Sequence, residues 1–219
     1  MSINIAIDGP SAAGKSTIAK CIAKMLNYKH LDTGAMYRCV GLQAIKTNTS
    51  FNDEEKLCQM IDQMKIDFGE DNSVFINRED VSKAIRENDI SMAASICSAH
   101  PLVRIRLVAM QKEIAKVGGY ILDGRDIGTV VLPNAELKIY MVATVEARAK
   151  RRFLEYKNKG IEMDYKKIYE DIEQRDDQDM HREASPLKKS EDAIEIDTSN
   201  MSIQEVCDYV VSLLQDLNV

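Results

Sequence analysis

The 219 residues are 45% apolar and 29% charged, with 35 acidic against 29 basic side chains and a formal net charge of -6. This is the balance of a chain that buries a sizeable core, and it argues against disorder and against a surface given over to nucleic acid, while leaving room for arginines gathered in one anion-binding cleft. The five cysteines, Cys21, Cys39, Cys58, Cys97 and Cys207, are scattered without a Cys-x-x-Cys pair. They are expected as reduced thiols, with neither zinc nor a disulfide framework.

The N-terminus, Met-Ser-Ile-Asn-Ile-Ala-Ile-Asp, carries no basic region or long apolar run, so neither export nor membrane insertion is expected and the cytoplasm is the expected location. Ile3, Ile5 and Ile7 predict a first strand that ends at Asp8 in a glycine-containing turn. Ile18, Cys21, Ile22, Met25 and Leu26 then repeat at the spacing of a buried helical face. A second strand over 29–32 and a second helix over 36–45 follow. Between Asn52 and Asp89 a helical stretch gives way to Ile66, Phe68, Val74 and Ile76 in short alternating runs with Gly69-Glu70-Asp71-Asn72 as a turn, which predicts an inserted helix and a small antiparallel hairpin. Further strands are expected over 120–123, 137–142 and 193–197, the first two preceded by helical segments. Ser202 and Glu205 form a capping box, and Met201 with Val206 can form a staple, for a last helix whose apolar face is Ile203, Val206, Val210, Leu213, Leu214 and Leu217. Strands alternating with helices imply an α/β fold with a largely parallel sheet covered on both faces.

The turn after the first strand reads Gly9-Pro10-Ser11-Ala12-Ala13-Gly14-Lys15-Ser16, a full match to the phosphate-loop pattern between a strand and a helix. Gly9 and Gly14 permit backbone approaches that a Cβ would block, so successive N–H groups can converge on phosphates at a helix N-terminus. Lys15 is expected to contact the β and γ phosphates, and the Ser16 hydroxyl to ligate Mg²⁺. A guanine-reading Asn-Lys-x-Asp is missing, since Asn158-Lys159 runs into Gly160 and Ile161. A GTPase-type switch is therefore not expected.

The acceptor must be sought where a parallel sheet presents its C-terminal edge. Asp32-Thr33-Gly34-Ala35-Met36-Tyr37-Arg38 follows the second strand, with Asp32 or Thr33 also able to cap a helix. Asp123-Gly124-Arg125-Asp126-Ile127-Gly128-Thr129 has two glycines, two aspartates and an arginine that packing alone does not explain. Arg148, Arg151 and Arg152 lie near one helical face and suggest an anion, although Glu155 could pair with Arg151 or Arg152 on a solvated face. Arg175, Asp179 and Arg182 share a face if the helix after Gly160 continues, where an exposed ion-pair ladder is the alternative.

GPSAAGKST, which includes Thr17, LDTGAMYR, ILDGRDIGTVV and QRDDQD with the following Arg182 occur in the order and spacing of the bacterial cytidylate kinases, and the chain resembles that family over about 4–211. The resemblance implies a single kinase domain on a five-stranded parallel core (1–36, 90–150 and 178–219), an acceptor lobe with insert (37–89), and a mobile lid (about 151–165) followed by a helix over 165–177. It implies that Arg38, Arg125 and Arg182 hold the acceptor phosphate, that Arg175 and Asp179 contact the sugar, and that Thr33, Tyr37, Ser95, Arg104 and Asp126 line the nucleoside pocket. Asp123 resembles a carboxylate that reaches the metal through water. The family often has serine at Thr33 and arginine at Gln178, and the second departure weakens the basic character of the lid. His30, His100 and His181 match no role.

The expected reaction is transfer of the γ-phosphoryl group of ATP to CMP or dCMP with Mg²⁺, by a monomer that binds neither nucleic acid nor membrane. Alternatives are a kinase of the same fold acting on UMP, shikimate or dephospho-coenzyme A, and an ATP-binding regulatory protein that hydrolyses nucleotide without transferring it.

Overall fold

The computed structural model describes residues 2–69 and 73–216; the turn expected at 69–72, apart from Gly69, and the apolar position Leu217 lie outside the described residues. In chain order the elements are β1 (Ile5–Asp8), α1 (Lys15–Leu26), β2 (Lys29–Asp32), α2 (Thr33–Lys46), α3 (Glu54–Asp62), β3 (Ile66–Phe68), β4 (Val74–Ile76) and β5 (Glu79–Asp80). There follow α4 (Asn88–Cys97), α5 (Pro101–Ala115), β6 (Tyr120–Gly124), β7 (Leu137–Val142), α6 (Val145–Asn158), α7 (Tyr165–His181), β8 (Ile194–Asp197) and α8 (Ile203–Asp216). Five strands form a parallel sheet in the order β2-β6-β1-β7-β8, and β3, β4 and β5 form a separate antiparallel sheet. The insert therefore has one strand more than the expected hairpin. The extra strand is two exposed residues long, too short to leave an alternating pattern.

The chain divides into two compact units, one comprising the residues through Tyr28 together with those from Gly118 onward, the other Lys29–Val117. In the first unit β1 is central and buried throughout. It runs parallel to β6 from Ile5 opposite Ile121 to Asp8 opposite Gly124, and to β7 from Ile5 opposite Leu137 to Asp8 opposite Tyr140. This register brings Asp8 level with the last residue of β6, so the turns after β1 and β6 emerge side by side. Ile5, Ile7, Ile18, Ile22, Ile121, Ile139, Val206 and Val210 form one core cluster.

The buried face of α1 is Ile18, Ala19, Ile22 and Ala23, with Cys21 and Leu26 partly covered. Met25, expected on that face, is 50% exposed, because two alanines take the positions facing the core. The capping box of α8 forms in both directions: Ser202 N–H donates to Glu205 at 2.7 Å, and Glu205 N–H donates to Ser202 Oγ at 3.2 Å. Ile203, expected on the buried side, is 56% exposed, while Val206, Val210 and Leu214 are buried.

In the second unit α2 begins at Thr33, three residues before the expected start. Asp32 accounts for this, since its side chain accepts Ala35 N–H at 2.9 Å and supplies the cap that lets the helix run through Gly34. A core of Cys39, Leu42, Met64, Val74, Ile76, Val81, Ile85 and Ile90 joins α2 to the small sheet.

Candidate active site

The turn after β1 is shaped by close approach. A Cβ on Gly9 would lie 2.1 Å from the Met141 carbonyl oxygen, whereas one on Gly14 meets only the Met141 side chain at 3.8 Å, so Gly14 is required by its φ of +95° instead. Ala12 also takes a left-handed conformation, with φ +58°. Pro10, Ser11 and Ala13 are buried, and Thr17 is exposed on the first turn of α1. Lys15 is buried, and its Nζ donates to the Pro10 carbonyl at 2.7 Å. Burial, then the nearby Arg125, pushes this ammonium down to about 7, against the attraction of Asp123, Asp179 and Asp8.

Ser16 Oγ donates to Asp123 Oδ2 at 2.7 Å, so a hydroxyl from α1 meets a carboxylate from β6 at the end of the loop. Both are hard oxygen donors. Mg²⁺ usually takes one or two carboxylates together with substrate phosphates and waters, and this pair fits that preference.

Beyond β6, Arg125 and Asp126 lead into a π-helical turn over Ile127–Val131, where the Asp126 carbonyl accepts Val130 N–H at 2.9 Å and Val131 N–H at 3.2 Å. Asp126 is itself buried. Asp8 closes this turn from below: its two carboxylate oxygens accept Ile127 N–H at 2.8 Å and Gly128 N–H at 2.7 Å. Burial drives the Asp8 carboxyl up to about 6, the two amides and Lys15 working against that rise and Asp126 adding to it.

Arg125 Nε donates to Asp179 Oδ2 at 2.7 Å, and Arg182, at the C-cap of α7, reaches Asp179 Oδ1 at 3.4 Å and the Ser185 carbonyl at 2.8 Å. Burial opposes ionisation of Asp179, but Arg125, with Arg175 and Arg182, holds its carboxyl below the ordinary range. The exposed-ladder alternative is thus overturned for this face, because Asp179 is buried and reaches back to the turn after β6. Arg175 is half-buried one turn earlier, and Gln178 is exposed.

The arginines of α6 are not equivalent. Arg148 is buried: it pairs with Asp176 Oδ2 of α7 at 2.6 Å and donates to the Ala143 carbonyl at 2.9 Å and to the Ser11 carbonyl at 3.1 Å. Arg151 donates to the carbonyls of Ala13 and Thr198. Arg148 and Arg151 therefore brace the phosphate loop from outside through its own carbonyls. Arg152 is half-exposed, 3.8 Å from Glu155, with its guanidinium 5.9 Å from the centre of the Tyr156 ring.

In the unit Lys29–Val117, Asp32 pairs with Arg38 at 2.8 Å and with Arg86 at 3.1 Å. Burial raises the cost of its charge, yet Arg38, Arg86 and His30 hold its carboxyl down at about 2. Thr33 and Tyr37 are buried on α2. Arg104 of α5 is buried with its guanidinium 5.2 Å from the Tyr37 ring centre and donates to the Ser98 carbonyl at 3.2 Å. Ser95 is half-buried on α4, its carbonyl accepting the Ser98 hydroxyl.

Sequence reasoning missed Asp8 and Asp176 as members of these networks, and Arg86 as a second partner of Asp32. A carboxylate closing a fully apolar strand was the available signal for Asp8. Nothing local marks the others.

A sequence profile described as Cytidylate kinase matches residues 5–216. A cytidylate kinase from Caldicellulosiruptor bescii is 53% identical over 215 residues, covering 96% of this chain and 95% of that protein. One from Bacillus cereus is 49% identical over 215 residues, covering 97% and 96%. Among solved structures, a gluconokinase from Sinorhizobium meliloti shares the fold with a TM-score of 0.52 at 10% identity, covering 99% of this chain and 93% of that one. With a phosphate loop that holds a buried lysine, a serine–carboxylate pair beside it, and relatives this close over nearly the whole length, the chain belongs to the cytidylate kinase family.

Proposed function

We propose that the chain transfers the γ-phosphoryl group of ATP to CMP or dCMP, releasing ADP and CDP or dCDP. The observation that carries this reading is the buried Lys15 beside the Ser16–Asp123 pair, a cation and a hard oxygen set gathered where the phosphate loop meets the end of β6. Lys15 stabilises charge on the transferring group, and the loop N–H groups of Gly9 and of Ser11 to Thr17 receive the phosphates, Pro10 having none to give. Ser16 directly, and Asp123 through water, would hold Mg²⁺. When bound, that ion neutralises charge on the β and γ phosphates.

Arg38, Arg125 and Arg182 hold the acceptor phosphate. Arg175 and Asp179 take the sugar, and Thr33, Tyr37, Ser95, Arg104 and Asp126 take the base. Arg148, Arg151 and Arg152 serve the ATP side, the first two through the loop carbonyls that they brace and Arg152 through its half-exposed guanidinium.

The nucleophile is a phosphate oxygen of the acceptor, whose second pKa of about 6 leaves it ionised at neutral pH, so no general base is required. What this chain's residues must overcome is repulsion between two anions. Closure of the 151–165 segment as a lid would exclude competing water. No helix among the described residues is long and apolar enough to cross a membrane, and all five cysteines are free thiols. The free thiols support action in the cytoplasm, where thiols stay reduced.

The test is ADP release, coupled to NADH oxidation, with CMP, dCMP, UMP, AMP, shikimate and dephospho-coenzyme A. CMP and dCMP should stimulate release strongly and the others weakly. Release that is indifferent to every acceptor would overturn the reading.

A further inference from the structure

Asp8 belongs to none of the motifs that mark the reaction, yet it is 5% exposed at the end of an otherwise wholly apolar strand. A buried carboxylate is costly unless it is paired and hydrogen-bonded. Among the described residues its hydrogen-bond donors are two consecutive backbone amides, Ile127 and Gly128, one to each oxygen. Lys15 lies within electrostatic range but gives its own hydrogen bond to Pro10.

This geometry explains the residue type. Two adjacent N–H groups aimed at one side chain need two acceptors, and an ionised carboxylate is acceptor-only. Asparagine would turn one of those acceptors into a donor and point it at an N–H. The clamp joins two functional segments at their roots. Asp8 is followed by Gly9 and by Pro10, whose carbonyl holds Lys15; Ile127 is preceded by Asp126 and Arg125, the latter fixed at its other end on Asp179.

We propose that Asp8 is a positioning residue for phosphoryl transfer, its carboxylate setting the Arg125–Asp126 segment, through the amides of Ile127 and Gly128, at a fixed offset from the phosphate loop. It touches no reacting atom. The assignment rests on the functional reading above, in which Lys15 serves the donor and Arg125 and Asp126 serve the acceptor. A misplacement of about 1 Å between such groups costs on the order of a hundredfold in rate.

The experiment compares the wild-type chain with Asp8→Asn and with a chain in which the Ile127 amide is replaced by an ester, which keeps every side chain and deletes one donor. Asp8→Asn should keep its circular dichroism spectrum and bind ADP within about threefold of wild type, while kcat with CMP falls roughly 30- to 100-fold. The ester should lose roughly tenfold in kcat with KM for ATP unchanged. In both, the amide resonances of Arg125 and Asp126 should move while those of the core strands stay. A folded Asp8→Asn, or an ester chain, with kcat within twofold of wild type overturns the proposal. So does a loss of kcat that only parallels lost stability and lost ADP binding, because Asp8 is then a packing residue. The amide shifts need no turnover: if wild type ignores CMP the functional reading fails, and unmoved Arg125 and Asp126 resonances would still refute the clamp.

Discussion

Replacing Lys15 with methionine should remove activity and stabilise the ligand-free protein. The ammonium is buried, makes one hydrogen bond to a carbonyl, and has been pushed from the ordinary 10.5 to about 7. The folded chain therefore binds fewer protons than the unfolded one between pH ~7 and ~10.5, and the cost of burying the cation is full below that window and fades as pH rises through it. At 1.36 kcal/mol per pKa unit this cost is about 4 kcal/mol near pH 7. Methionine keeps the apolar stem and removes the charge, at the loss of about 1 kcal/mol for the bond to Pro10. A net gain of about 3 kcal/mol corresponds to a rise of roughly 6–12 °C in thermal midpoint for a chain of this size. Scanning calorimetry of both proteins at pH 7 and pH 10 isolates the effect, since the gap should shrink at the higher pH. Turnover should fall on the order of a hundredfold or more, the scale of losing one preorganised donor. A variant no more stable than wild type, or a gap independent of pH, would refute the strained-cation reasoning, and near-normal turnover would refute the role.

Arg38→Met, Arg125→Met and Arg182→Met should each cut CMP use by about a hundredfold or more while nucleotide binding measured by ADP titration stays within a few fold; equal loss of both would break the assignment to the acceptor phosphate. Asp126→Asn should depress CMP efficiency while sparing or raising that for UMP, because a carboxylate accepts from the cytosine amino group and an amide can instead donate to a uracil carbonyl; an equal fall for both bases would make Asp126 an organiser of the turn. Arg148→Met leaves Asp176 as a buried carboxylate without its 2.6 Å partner and should cost about 3–5 kcal/mol in urea denaturation, much of it recovered by adding Asp176→Leu. Gly9→Ala puts a Cβ 2.1 Å from the Met141 carbonyl, so it should cost more than Gly14→Ala, where only a φ of +95° is strained, and a reversed order in thermal melts would contradict this packing.

The parts of the fold legible in the sequence are those written in short-range pattern. The strand β7 falls where an apolar run meets a polar turn, and the phosphate loop and the capping box of α8 declare themselves within a few residues. Pattern failed where one residue overrides its neighbours: Asp32 starts α2 early, and Ala19 and Ala23 take core positions that were assigned to larger side chains. It was also silent wherever the partner is remote. Asp8 lies 119 residues from the first amide it holds, and Arg148 lies 137 from the loop carbonyl it braces, so no local periodicity records either contact.

Those remote contacts follow one electrostatic rule. A kinase that brings two anions together needs many buried cations, and each is a liability while the ligands are away. Arg38 rests on Asp32, Arg125 and Arg182 rest on Asp179, and Arg148 rests on Asp176. Each of these carboxylates also fixes its arginine's orientation, which a free phosphate could not do beforehand. Lys15 is the exception, held by a carbonyl and unneutralised by any such pair among the described residues. An arginine keeps its proton in any of these settings, whereas a lysine at about 7 can shed its charge when the phosphates leave. The one cation assigned to the transferring group is thus the one whose charge the nucleotide itself can restore.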